Sequence, residues 1–186
     1  MKTIRTYLLL FALLGVWGSS AFAQTYKTEA GHVEFTSKVP LHTFTGTSEQ
    51  LTGLINLEDG TVDFFVDLET LDTGMRKRDK DMKITLETKE YPFAEFFGKL
   101  TSPVDHLAGW DEGVAAVTGN FTLHGVTREV TVEGTLRKTT EGLLLKASWQ
   151  IRLDDYDIVP PSLLIVKVDE VQEVAIEAIL KPVEDS

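Results

Sequence analysis

The sequence predicts an all-β fold: a single eight-stranded antiparallel barrel with one short helix between strands. Three observations carry that expectation. Apolar and polar residues alternate with period two in about eight runs, the pattern of strands with one face buried and one wet. Turn signals such as Glu58-Asp59-Gly60, His124-Gly125 and Glu141-Gly142 separate the runs. One charged stretch, Leu71 to Lys89, breaks the alternation and shows a helical spacing instead.

The chain opens on Lys2 and Arg5, an apolar run from Tyr7 to Trp17, and Ala21-Phe22-Ala23. This order of basic start, apolar run and small-residue cleavage pattern is that of a secretory signal peptide, with cleavage expected after Ala23. The apolar run is about eleven residues, short of a membrane span. Residues 24–186 then form one expected domain, with no repeat or linker, in a periplasmic or secreted protein. No later apolar run approaches the length of an integral membrane segment.

The first strand candidates are His32 to Ser37 and His42 to Thr47. In Leu51 to Glu58 the inward set is Leu51, Gly53, Ile55 and Leu57. In Thr61 to Thr70, Val62, Phe64, Val66 and Leu68 share one face, Asp63, Asp67 and Glu69 the other, and Phe65 is the exception. Leu71 to Lys89 reads as a short helix, with Asp72 or Thr73 as N-cap and Met75, Met82 and Leu86 near one face. Pro92 ends it and starts the strand Phe93 to Leu100 in extended geometry. Thr101 to Gly113 reads as a long exposed loop. Three long runs follow. Val117, Gly119, Phe121 and Leu123 point inward in the first, and Val130, Val132, Gly134 and Leu136 in the second. Leu143, Leu145, Ala147, Trp149, Ile151 and Leu153 do so in the third. Val174, Ile176, Ala178 and Leu180 close the series.

Pattern alone leaves a barrel and a two-sheet sandwich open. Run length, inward glycines suited to bends, the benefit of hiding strand edges, and terminal runs regular enough to pair favour the barrel.

Removing residues 1–23 takes away two basic residues and no acidic one, so the formal charge moves from −11 to −13 over 163 residues. That balance disfavours charge-driven binding to nucleic acid or to anionic membrane surfaces, but not the uptake of a lipid into an apolar interior. The absence of cysteine removes thiol nucleophiles, redox pairs and thiolate metal sites.

Several stretches resemble the YceI-like family. They are EFTSKVPLHTFTGTSEQLTGLINLEDGTVDFFVDLETLDTG, then R-D-x-D-M at Arg78 to Met82, E-Y-P at Glu90 to Pro92, and VTGNFTLHGVTREV at Val117 to Val130. Their order and spacing cover roughly residues 28 to 181. The resemblance implies a lipocalin-like barrel, exported from the cytoplasm, that holds a long isoprenoid or related acyl chain in an elongated cavity. It also implies a link to stress in some members. Arg152 to Pro161 (RLDDYDIVPP) departs from the family's Arg-Ser-Asp-Phe-Gly-type segment, a difference that bears on the ligand's head group.

The expected function is non-enzymatic binding, storage or transport of an isoprenoid, quinone or fatty-acyl lipid, without cofactor. A homodimer is compatible with the sequence. The alternative is a ligand-free barrel acting as a structural, interaction or stress-protective module. Candidate cavity residues are Phe35, Phe44, Ile55, Phe64, Val66, Phe96, Phe121, Leu123, Ala147, Trp149 and Ile151; plain core packing explains the same residues equally well. Candidate head-group or gate residues are Arg78, Asp79, His124 and Arg128. Their plainer readings are a helix cap with an ion pair, and a tight hairpin at His124-Gly125.

Catalytic and metal readings find little support. His32, His42, His106 and His124 lack metal-ligand spacing, and no G-x-S-x-G elbow is present. Asp154-Asp155 and Glu58-Asp59 fall at strand ends and turns, where solvated carboxylates are normal.

Overall fold

The computed structural model describes residues 25–39, 42–101, 112–160, 162–163, 166–167 and 169–183. The expected signal peptide, His106 and most of the expected loop after Thr101 lie outside these residues. Among the described residues ten strands occur in chain order: β1 (Thr25–Val39), β2 (His42–Asn56), β3 (Thr61–Asp67), β4 (Phe93–Leu100), β5 (Glu112–Leu123), β6 (Val126–Lys138), β7 (Leu143–Arg152), β8 (Ser162–Leu163), β9 (Val166–Lys167) and β10 (Val171–Pro182). Eight of them close into a barrel in the order β1-β10-β7-β6-β5-β4-β3-β2, and β8 and β9 form a separate two-stranded sheet. Every barrel pair is antiparallel. Closure removes free edges, which a sandwich would have kept.

The two runs expected at His42–Thr47 and Leu51–Glu58 are one strand, β2, with a bulge between them. Val33 faces Ser48 and Gly31 faces Leu51, so the register slips there. An extra residue reverses which parity points inward, which is why Phe44, Gly46 and Ser48 share a face with Leu51, Gly53 and Ile55. The run read as a loop begins its return strand earlier than expected, since β5 already includes Glu112 and Gly113.

The expected helix is shorter than its charged segment. The single α-helix among the described residues, α1, spans Arg76–Thr85 and is preceded by Met75, which caps it with no side chain. Asp72 and Thr73 are not its N-cap. Asp72 instead accepts from the Gly74 N–H at 2.6 Å, forming a turn before the helix. The capping direction is reversed: Asp79, inside the helix, accepts from the Thr73 N–H at 2.9 Å and the Thr73 hydroxyl at 2.5 Å.

Both α1 and the segment Leu153–Pro160 sit at the same barrel end, because α1 joins the end of β3 to the start of β4 and the second segment leaves the end of β7. At the far end short turns join β2 to β3 and β6 to β7, and core residues fill the lumen. Leu180, Ile55 and Leu136 are almost wholly buried there. At the middle of the wall, Gly98 and Gly119 face each other across β4 and β5, and a Cβ on Gly119 would lie 2.4 Å from the Gly98 Cα. Their missing side chains let the wall bend sharply.

Candidate ligand cavity

The lumen holds a cavity of about 480 Å³. Its size falls in the usual range of small-molecule sites, roughly 300–1,000 Å³. Phe35, Phe96, Val117, Ala147, Trp149 and Ile176 line it, yet each is only half-buried. A filled barrel would bury inward residues of this kind completely. Here their surfaces face open space, because small side chains at Gly134, Ala147 and Ala115 leave part of the lumen unfilled.

All eleven positions expected to face the lumen do line it: Phe35, Phe44, Ile55, Phe64, Val66, Phe96, Phe121, Leu123, Ala147, Trp149 and Ile151. Phe121 anchors an aromatic group, edge-on to Trp149 at 5.9 Å and to Tyr156 at 5.6 Å. Val66 and Ala94 are direct partners on β3 and β4, so that side of the wall is smooth and apolar.

The α1 end is different in character. On α1, Lys77, Arg78, Asp81, Met82 and Thr85 line the cavity. Met75 and Leu86 join them from either side of the helix, as the helical spacing anticipated. The Arg78 guanidinium lies 4.4 Å from the centre of the Phe44 ring. Phe44 is the cross-strand partner of Ser37, and Ser37 that of Gln172. Ser37 and Gln172 are buried, and both line the cavity. Ser37 Oγ, Arg78 Nε and Trp149 Nε1 are buried with no hydrogen-bond partner among the described residues. An unpaired buried donor costs about 1–3 kcal/mol, and all three are covered by neighbouring atoms and do not open onto the lumen.

Ser37 and Gln172, both polar strand residues, are site residues that the sequence reading missed, as are Ile158 and Pro160 beyond β7. The signal of Ser37 and Gln172 was present: each shares its strand parity with Phe35 and Val174, so a polar residue stood at an inward position. Asp79, His124 and Arg128, expected near a head group or gate, do not line the cavity. Asp79 holds Thr73, and the Thr73 hydroxyl keeps its carboxyl below the usual carboxylate range. Arg78 donates to the Thr73 carbonyl at 2.6 Å, so both residues of the expected ion pair grip Thr73.

His124 and Gly125 form a two-residue turn, with φ of 53° and 74°. A Cβ on Gly125 would come within 2.6 Å of the Tyr91 ring, so glycine is required twice over. His124 Nδ1 is 3.0 Å from the Tyr156 carbonyl, and its Nε2 lies 3.4 Å from the Glu87 carboxylate. Arg128 donates to the Asp155 carbonyl at 2.9 Å. These two residues brace the Leu153–Pro160 segment from outside.

The acidic pairs carry no sign of catalysis. A glycosidase general acid needs a raised pKa. Asp154 is instead lowered by its 2.9 Å contact with Arg152. Asp59 is lowered to about 2 by the Thr61 hydroxyl and N–H and by Lys99. Among the described residues no three His, Asp or Glu side chains group as a metal site. No described helix is long and apolar enough to cross a membrane.

A family model for the YceI-like domain matches residues 25–180. The chain belongs to the YceI-like family. Three solved structures of low identity share the fold. A polyisoprenoid-binding domain from Saccharophagus degradans has a TM-score of 0.72 at 17% identity, covering 87% of this chain and 100% of its own. BcnA of Burkholderia cenocepacia has a TM-score of 0.65 at 17% identity, covering 81% and 94%. The YCEI protein of Campylobacter jejuni has a TM-score of 0.54 at 12% identity, covering 98% and 100%. No curated protein matches the chain.

Proposed function

We propose that this YceI-like barrel binds a long isoprenoid or related acyl-chain lipid, tail in the lumen and polar head at the α1 end, and carries it without chemistry. The observation that carries the reading is the apolar cavity whose inward residues remain half-exposed. The polyisoprenoid-binding neighbour from Saccharophagus degradans supports the same ligand class. With export expected from residues 1–23, the lipid crosses an aqueous compartment inside the protein.

The energetics favour tail over head. Burying a methylene gains about 0.8 kcal/mol, so a tail of about twenty carbons gains roughly 16 kcal/mol. Association and ordering cost about 4–15 kcal/mol. The tail therefore supplies affinity, and the Arg78 guanidinium, which lines the cavity at the α1 end, favours a polar head on that side.

Organic extraction of the purified protein followed by mass spectrometry tests the reading, together with uptake of added isoprenoid quinones and fatty acids by quenching of tryptophan fluorescence in a Trp110→Phe background that leaves Trp149 as the reporter. Recovery of a long-chain lipid is expected. No recovered lipid and no uptake of any offered one would overturn it. Ala147→Trp separates carriage from a ligand-free barrel: carriage predicts lost uptake with an intact fold, whereas a filled core predicts strain and destabilisation.

A further inference from the structure

The helix α1 is net positive in an otherwise acidic chain. Its ten residues hold Arg76, Lys77, Arg78, Lys80 and Lys83 against Asp79 and Asp81, a net of +3 in a mature chain expected at −13. Lys77 pairs with Asp81 at 3.5 Å, and Lys83 with Glu69 at 3.2 Å. Arg76 and Lys80 have no ion-pair partner among the described residues and stand one turn apart on the exposed face. Ile84 continues that stripe and is 64% exposed.

The stripe is continuous with the cavity. Met75, 55% exposed, both precedes α1 and lines the lumen. Across the mouth Val159 is 84% exposed between Ile158 and Pro160, which line the lumen too. Exposed apolar side chains thus rim the opening, and unpaired cations flank them. Carboxylates beside α1 are Asp72, Glu87 and Glu90, and the Leu153–Pro160 segment at the same end adds Asp154, Asp155 and Asp157, of which Asp154 pairs with Arg152 at 2.9 Å; the cationic stripe is confined to the exposed face of α1.

We propose that the α1 end is a docking surface for anionic lipid bilayers, with Arg76 and Lys80 on the headgroups and Met75, Ile84 and Val159 dipping into the interface. The net charge of the chain argues against membrane attraction, but a surface responds to the local field, not the total. The surface gives the lipid-carrying lumen a route to its cargo that avoids passage of the tail through water. That purpose rests on the reading above; the docking itself does not.

Mature, lipid-free protein is sedimented with vesicles of phosphatidylglycerol and phosphatidylcholine, and with vesicles of phosphatidylcholine alone. Binding is expected only to the first, and lost at raised salt. The double variant Arg76→Glu, Lys80→Glu is expected to lower binding at least about tenfold. Lys27→Glu, Lys181→Glu makes the same charge change at the far end, where the two residues are cross-strand partners, and is expected to leave binding unchanged. Uptake of an isoprenoid quinone diluted from ethanol should be equal in all three proteins. Equal loss in both double variants, binding to phosphatidylcholine alone, or equally tight binding to soluble DNA would overturn the proposal. Loss of quinone uptake in the unmodified protein would count against the lumen's function and leave the docking result standing.

Discussion

Two segments close the same barrel end, and they do it by opposite means. Leu153–Pro160 enters the core: Leu153, Tyr156 and Ile158 are buried, and Tyr156 stacks edge-on against Phe121. α1 contributes no fully buried residue. It is held at its ends by polar contacts, Thr73 with Asp79 and Arg78 on one side, and Glu69 with Thr88 and Lys83 on the other. The first segment is a plug held by apolar area. The second is a cover held by a few hydrogen bonds, which a modest energy can release. The proposed carriage of a lipid needs one such element, because a mouth sealed on both sides by core packing would open only with the fold.

The largest effect expected from this contrast is Tyr156→Ala, which should cost about 3–5 kcal/mol in denaturant unfolding, as for other buried aromatics. Met82→Ala on α1 should cost only about 1 kcal/mol, in keeping with its partial exposure. Equal costs would erase the distinction between plug and cover.

Thr73→Val comes next. Loss of its hydroxyl from Asp79 should cost roughly 1–2 kcal/mol. Amide exchange should then rise in α1 and stay unchanged in β5, β6 and β7. A uniform rise would mean that α1 opens only with the barrel.

The far end supplies an acid test. Asp59 binds the Thr61 hydroxyl and N–H in the β2–β3 turn, and its carboxyl falls from 3.8 to about 2. A folded-state pKa below the unfolded one contributes stability above the unfolded value, and that contribution disappears as pH falls through the folded value. Asp59→Asn should therefore lower the melting temperature at neutral pH, with the gap to the unmodified protein closing between about pH 4 and pH 2. A gap that persists below that window would assign the loss to the turn's geometry instead of its charge. The smallest effect belongs to Arg76→Glu, Lys80→Glu, whose exposed side chains should change stability by less than about 0.5 kcal/mol each. That margin makes the pair usable for testing the docking surface.

Much of the site was legible because a strand has only two faces. Once Val62, Phe64 and Val66 define the inward parity of β3, cross-strand pairing carries it around the barrel, and each of the eleven expected lining residues follows. Ser37 and Gln172 obeyed the same parity and were passed over because they are polar. The β2 bulge hid in the sequence because one extra residue resembles a gap between strands. The helix start was misread because the capping rule assigns Asp72 or Thr73 the acceptor role, whereas the acceptor is Asp79, six residues beyond Thr73. His124 and Arg128 were placed at the mouth by their turn, but their partners, Tyr156 and Asp155, lie about thirty residues away in the chain, beyond the reach of any local rule.

By itself the sequence determined the strands, their inward faces, the one helix and the acidic balance, since each depends on neighbours within a few residues. Whether the lumen is hollow was decided only by tertiary structure. Cavity volume is a small difference between the space a closed eight-stranded wall encloses and the side chains that enter it, and neither quantity exists until the circuit from β1 to β10 is shut. The same closure set Ser37 beside Gln172 across β1 and β10, two polar side chains on an apolar lumen that no local pattern joins.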